Sequence, residues 1–423
     1  MTLFTALRHR PFALLWSGQT ISRLGDSLYS VALAWWVLQA TGSATAMGTV
    51  LIFSFTPMLI FLLIGGVAVD RLPRLRVMVV SDVASGLVVL GVAALAAAGR
   101  LEVWHVYIAS AVFGFLQAFF FPAYTAAVPE LTPAEGLPSA NSLTSLSQQL
   151  SGIAGPAIGA WVVANWGTPA AFAVNGLSFF IAAACVLPVL GIGFAQAPGR
   201  DGRLTQLDPA GAAPPTRPDR ERRNAWRDLR EGIGLVLREP WLWITITVSS
   251  LANITLSGPR SVALPFLVER TLHASVGTLG LLYSAGSAGA VLGAVWLGGR
   301  KRLRRRGLLA YGTSALCGLA ALAMGLVPSV PVAAAASFII GLCISVFSLV
   351  WTNTLQELVP RDALGRVSSI DALGSFMLLP LGYGLTGWAT DRLGPPLIFV
   401  IGGLGTAVLA LAAWLHPAIR QLD

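Results

Sequence analysis

Charge is scarce in this chain. Asp, Glu, Lys and Arg make up 11% of its 423 residues, against about 25% in an ordinary soluble domain. Hydrophobic residues reach 55%, which argues against a water-soluble globule. Cysteine is equally sparse. Cys185, Cys317 and Cys343 all fall inside apolar runs. An odd count without paired spacing excludes a disulfide framework and a thiolate metal site. The four histidines, His9, His105, His273 and His416, lie near the ends of those runs and do not cluster. No zinc motif, phosphate loop or nucleophile elbow is present. The sequence therefore reads as a non-enzyme without metal or organic cofactor. Without a nucleotide motif to supply ATP energy, a secondary ion gradient is the economical source for any uphill work.

What the chain has in quantity is apolar runs of bilayer length. About 20 apolar residues span a membrane as a helix. Twelve such segments are expected, at 12–38, 46–69, 76–98, 104–128, 139–165, 169–191, 241–267, 275–299, 307–327, 331–355, 367–389 and 396–416. The first is too long for a signal-peptide core and no small-residue cleavage site follows it, so it reads as a retained helix. The fold class is an all-α integral membrane protein of twelve transmembrane helices in two pseudo-symmetric six-helix bundles. The domains are an N-terminal bundle over 1–193, an Arg- and Pro-rich cytoplasmic linker over 194–239 and a C-terminal bundle over 240–423. Within the linker, Trp226, Leu229, Ile233 and Leu237 recur at helical spacing among charges. They suggest either a short helix on the membrane surface or a solvated segment. The halves also repeat. Val128-Pro129-Glu130 and Leu137 to Leu143 run into the fifth span much as Val359-Pro360-Arg361 and Leu364 to Ile370 run into the eleventh.

The net charge of +9 comes from arginines in short loops. That placement speaks for membrane orientation and against nucleic acid as a partner. Arg8, Arg10, Arg71, Arg74, Arg76, the linker arginines, the basic run 300–306, Arg361, Arg366 and Arg420 share one side under this topology. Arg100, Arg270 and Arg392 have the other. The positive-inside rule then puts both termini in the cytoplasm. The expected partners are the lipid bilayer and a lipophilic small molecule, with the protein acting as a monomer.

A few polar residues interrupt the spans. Gln19, Arg23 and Asp26 lie at i, i+4 and i+7 on the first, so they share a face. Charge at mid-membrane costs about 2.5–3.5 kcal/mol even on insertion scales, so this face should line a cavity or meet a helix. Asp26 either takes and releases a proton, with Arg23 tuning it or touching substrate, or the two neutralise each other in packing. Asn253, Ser257 and Arg260 repeat the spacing on the seventh span. Arg260 either gates against Asp26 or snorkels to the interface, the latter being favoured. Gln117 and Tyr124, Gln148 and Gln149, Tyr283 and Ser287, and Asn353 and Gln356 are further candidates for a cavity wall. Asp82, Glu357 and Asp371 sit about one turn inside span ends. Asp371 is a second proton-coupling candidate, and Asp82 and Glu357 read as structural.

Two stretches carry a family resemblance. Gly66, Asp70, Arg71 and Arg74, between the second and third spans, resemble the signature loop of the major facilitator superfamily, departing at Pro73 and Leu75. Gly152, Gly155, Pro156 and Gly159 resemble the Gly-Pro antiporter motif of that superfamily's fifth helix, departing at Ala160. Ile21 to Asp26, Gln356 to Arg361 and Pro380 to Tyr383 look most like its macrolide-efflux and enterobactin-exporter branch. The resemblance implies a secondary transporter in a bacterial cytoplasmic membrane. It would export lipophilic or amphipathic organic compounds by proton antiport, with Asp70 and Arg71 latching the cytoplasmic side. A siderophore or lipid exporter, or an importer of a small metabolite, shares the fold.

Overall fold

The computed structural model describes residues 4–69, 71–190, 225–298, 305–360 and 363–422. Every regular element among them is helical. Helix α1 (Arg10–Thr41) starts with proline in its first turn and stops at Gly42. Gly42 has φ 60°, and its N–H closes the helix on Leu38 O at 2.9 Å. Only glycine takes that left-handed conformation without a Cβ penalty, so the chain reverses at once into α2 (Ala44–Val69). Then come α3 (Arg74–Ala97), α4 (Val103–Glu130) and α5 (Leu137–Leu190). The last is broken at Gly167, with φ 79° and ψ 171°. The break divides α5 into limbs 137–166 and 168–190, close to the fifth and sixth segments expected from the sequence.

The second part begins with α6 (Ala225–Arg238), which realises the amphipathic stretch of the linker. Gly232 of α6 packs on Ile370 and Arg366, and Arg366 donates to Glu231 at 2.9 Å. Next is one rod made of α7 (Pro240–Ala252), π turns at Asn253–Ser257 and Pro259–Ala263, the short α8 (Leu264–Phe266) and a third π turn at Leu267–Thr271. Pro259 and Pro265 remove backbone donors there, and the ladder widens around them. The chain continues through α9 (Val276–Gly298), α10 (Arg306–Leu326), α11 (Val330–Leu358), α12 (Leu364–Phe376), α13 (Leu379–Leu393), α14 (Pro395–Leu415) and α15 (Pro417–Arg420).

Eight helical stretches among the described residues are long and apolar enough to cross a membrane. One of them, Ala134–Leu190, contains the Gly167 break. Outside the eight, α1 carries Arg10, Arg23 and Asp26, and the rods 240–271 and 364–393 are subdivided.

Lipid tails are as apolar as leucine, so such helices associate through close packing at small residues. A Cβ on Gly65 would run into Ala118 O of α4, with Phe119 Cα 3.4 Å away, whereas one on Gly66 would meet nothing within 4 Å. The close approach of α2 to α4 is therefore made at Gly65 and not at Gly66, one residue round the helix. Gly65→Ala should lower the melting temperature of the purified protein measurably, since overpacking costs about 1–3 kcal/mol. Gly66→Ala should stay within about 0.5 kcal/mol of the parent. Equal losses in a detergent thermal-shift assay would contradict that assignment.

Among the described residues, two main seams join the first part to the second. Along α5 and α9, Ser284 donates to Ile153 O at 2.6 Å, and a Cβ on Gly280 would sit 2.6 Å from Pro156 O. Along α2 and α13, the rings of Phe55 and Tyr383 are 5.3 Å apart, and a Cβ on Gly387 would sit 2.6 Å from Ala44 O. The second seam uses the beginning of α2, at the face where α1 ends. Toward the face where α1 starts, α12 turns instead to α6, α7 and α11 of its own part. Among the described residues, the contacts named between the two parts gather toward the face where α1 ends.

Candidate functional site

A cavity of about 150 Å³ opens beside α1 in the first part. Gln19, Arg23 and Asp26 all line it, so their helical spacing does place one polar face on one space. Gln117, Phe120, Phe121 and Tyr124 of α4, Gln148 of α5 and Phe179 complete much of the wall. The wall thus combines polar groups with aromatic rings.

Asp82 of α3 also faces this cavity. It is 2% exposed and accepts the Gln19 amide N–H at 3.0 Å. The sequence reading had assigned Asp82 a structural role. The available signal was its setting: Ser81, Asp82 and Ser85 are a polar group within an apolar run, and all three are buried and line the cavity. Asn175, on the second limb of α5, was also missed. It is fully buried and donates to Asp26 Oδ1 at 3.4 Å, while Ser178 donates to Asn175 O at 2.8 Å.

Arg23 does not form an ion pair with either carboxylate. Its guanidinium lies 4.7 Å from the centre of the Tyr124 ring, and Nη1 donates to Thr144 O at 3.4 Å. Stacking on an aromatic face replaces the contact of opposite charges. The Tyr124 hydroxyl is itself 3.3 Å from Thr144 Oγ1. Two carboxylates thus share a cavity at span depth with amide partners and no contacting cation. Ionisable groups so placed are expensive to keep and mark functional sites.

The antiporter-like strip divides its work. A Cβ on Gly155 would strike Ser27 Cβ, and one on Gly159 would lie 2.8 Å from Leu28 O, so both seat α1 beside Asp26. A Cβ on Gly152 would lie 3.0 Å from Ser287 Oγ of α9, across the seam. Pro156, between them, supplies the carbonyl beside Gly280. Gln149 is half-buried and lies outside the cavity wall, which takes Gln148 instead.

The candidates of the second part do not join this cavity. Arg260 and Tyr283 line a separate small pocket with Leu256, Ser337 and Phe399. Arg260 does not pair with Asp26; a Cβ on Gly286 would lie 3.3 Å from its Nη2. Asn253 donates to Ser375 O at 2.8 Å and accepts from Ser257 at 3.1 Å. The i, i+7 face expected for Asn253 and Arg260 fails because the π turns between them take more residues per turn than an α-helix. Asp371 accepts from Trp351 Nε1 at 3.0 Å and from Ser375 at 3.4 Å. Asn353 is half-buried on α11. Glu357 pairs with Arg306.

In the hinge between α2 and α3, Asp70 lies outside the described residues. Arg71 is exposed in the turn, and Arg74 pairs with Glu130 at the end of α4.

The chain is similar along nearly its whole length to named efflux proteins. It is 25% identical over 417 residues to macrolide efflux protein A of Streptococcus pyogenes, covering 97% of each chain. It is 28% identical over 433 residues to the multidrug efflux pump Tap of Mycolicibacterium fortuitum, covering 99% of this chain and 98% of the other. In fold it is similar to the crystal structure of a POT family transporter in complex with thioalcohol conjugated peptide, with a TM-score of 0.71, 13% identity and 95% of each chain covered. The family model of the Major Facilitator Superfamily matches residues 15–377 and 249–421, and the chain is a multi-pass membrane protein belonging to that superfamily of transporters.

Proposed function

We propose that this chain exports lipophilic or amphipathic organic compounds from a bacterial cytoplasm by proton antiport with alternating access. In this reading twelve spans form two six-helix bundles over 1–193 and 240–423, joined by the linker 194–239, with both termini cytoplasmic. The protein works as a monomer in the cytoplasmic membrane. The observation that carries the reading is the cavity beside α1, where Asp26 and Asp82 face a space walled by aromatic rings and amides. Its mixed aromatic and amide wall suits an amphipathic organic guest. The names of the efflux relatives agree with this cargo class.

Asp26 carries the proton in this scheme, with Asp82 as a second acceptor in the same cavity. Gln19 orients Asp82, and Asn175 orients Asp26. Arg23, held over Tyr124, supplies positive potential to the cavity without closing on a carboxylate. A proton drives export only if protonated and deprotonated forms differ in their preference for the two states of the carrier. Carboxylates on a cavity whose exposure changes between the two states meet that requirement.

The test is efflux of a panel of lipophilic dyes and macrolides from cells expressing the chain, with and without a proton uncoupler. Uncoupler-sensitive efflux is the expected result. Efflux that persists after the gradient has collapsed would exclude proton antiport, and the absence of efflux for every compound would exclude this cargo class.

A further inference from the structure

Asp391 closes α13, and its carboxylate is engaged in the other part of the protein. Oδ1 accepts the Ala44 backbone N–H at 2.7 Å. Oδ2 accepts the Thr45 N–H at 2.9 Å and the Ser43 hydroxyl at 2.8 Å. These donors belong to the start of α2, where backbone N–H groups lack partners within the helix and the helix dipole favours negative charge. Ser43 accepts the Ala46 N–H at 3.2 Å while giving its proton to Asp391. The cap of α2 is therefore completed by a residue 346 positions away.

A second contact holds the same turn. Arg270 donates to the carbonyl of Gly42, between α1 and α2. Behind it the seam is nearly backbone on backbone, with Gly387 against Ala44 and Thr45 and Tyr383 against Gly48. Among the described residues, α12 packs on α6, α7 and α11 of its own part.

The sequence around Asp391 repeats a pattern. Gly387-Trp388-Ala389-Thr390-Asp391-Arg392-Leu393 has the spacing and identities of Gly66-Val67-Ala68-Val69-Asp70-Arg71-Leu72 at glycine, aspartate, arginine and leucine. The two copies close α13 and α2, the two helices of this seam, which run in opposite directions.

We propose that Asp391 is a lock between the two parts: its carboxylate caps α2 across the seam and holds the face opposite the chain's start closed. The proposal rests on the alternating-access reading above. A cap that served stability alone could come from the residue just before the helix. This one is supplied across a contact that must part if the cavity is to open at that face. Its hydrogen bonds therefore stabilise one state of the carrier and are absent from the other, which is what biases a two-state equilibrium. Because Asp391 lies away from the cavity, it sets which face is open without touching cargo.

The test uses the full chain with its three cysteines replaced, reconstituted in lipid and spin-labelled in pairs. Labels at positions 100 and 327 report the locked face, where Arg100 and Val327 are exposed. Labels at 72 and 358 report the other face, where Leu72 and Leu358 are exposed. Asp391→Asn removes the charge. Thr45→Pro removes one donor from the opposite partner at an exposed first-turn position that tolerates proline. Each should raise the ratio of long to short 100–327 distances about tenfold, the scale of a lost charge-assisted bond, while the 72–358 distances shorten. Distance distributions of both variants that superimpose on the parent's would overturn the lock. Export is assayed on the same parent preparation. A parent that exports nothing would defeat the transport reading, and the distances would still decide the lock.

Discussion

Asp26→Asn should reduce uncoupler-sensitive efflux about tenfold or more, with unchanged abundance in the membrane and unchanged cargo binding. The size follows from the coupling argument: a carrier whose proton site is permanently neutral loses the differential affinity that ties proton flow to cargo flow. The substitution is nearly isosteric, and Asn175, which donates to Asp26, can still donate to an amide oxygen. Packing should therefore survive, and Gly25 should keep its close approach to Ser178 and Asn175. Counterflow, in which labelled cargo exchanges without net proton movement, should remain near the parent rate. Asp82→Asn should give a smaller loss of active efflux, because Asp82 is held by Gln19 deeper in the wall. Asp371→Asn tests the other candidate, which lies outside this cavity between Trp351 and Ser375. If Asp26→Asn exported like the parent while Asp371→Asn did not, coupling would belong to the second part. The readout is dye efflux and counterflow in proteoliposomes carrying an imposed pH gradient.

Much of this site was legible before the fold was known, because the first span is a regular helix. Gln19, Arg23 and Asp26 needed only the 3.6-residue period to be placed on one face, and α1 keeps that period from Arg10 to Thr41. The glycines at 155 and 159 were legible for the same reason. What failed was whatever depended on irregular backbone or on partners distant in sequence. The period breaks in the rod 240–271, where the π turns at Asn253–Ser257 and Pro259–Ala263 rotate Arg260 away from the face of Asn253. Asp82 was set aside because its partner, Gln19, is 63 residues away. The seam capped by Asp391 was invisible for the same reason. The cap joins groups nearly 350 residues apart, and no local pattern states which helix end an aspartate will face.

Gly159→Leu should abolish export and lower the melting temperature far more than Gly152→Ala in the same fifth-span strip. At Gly159 the first added atom already meets backbone: a Cβ would lie 2.8 Å from Leu28 O and 2.9 Å from Leu28 Cα. Backbone cannot rotate aside, so α1 itself would have to move. Overpacking of this kind costs about 1–3 kcal/mol for small additions, and leucine adds four heavy atoms. The consequence for function is local. Leu28 stands two residues beyond Asp26, so a displaced α1 carries Asp26 away from Asn175, 3.4 Å from it in the native packing. Gly152→Ala offers the contrast. Its Cβ would meet only the Ser287 hydroxyl at 3.0 Å and Ser287 Cβ at 3.4 Å. Rotation of that hydroxyl relieves the closer contact, so Gly152→Ala should keep the parent's melting temperature, and Ser287→Ala should restore any loss that remains. The two variants, compared by thermal shift and by dye efflux, separate two roles of one strip. If Gly159→Leu melted and exported like the parent, α1 would not be seated by this helix. If Gly152→Ala were as damaging as Gly159→Leu, the seam between α5 and α9 would tolerate no adjustment, which conflicts with parts that must move against each other during transport.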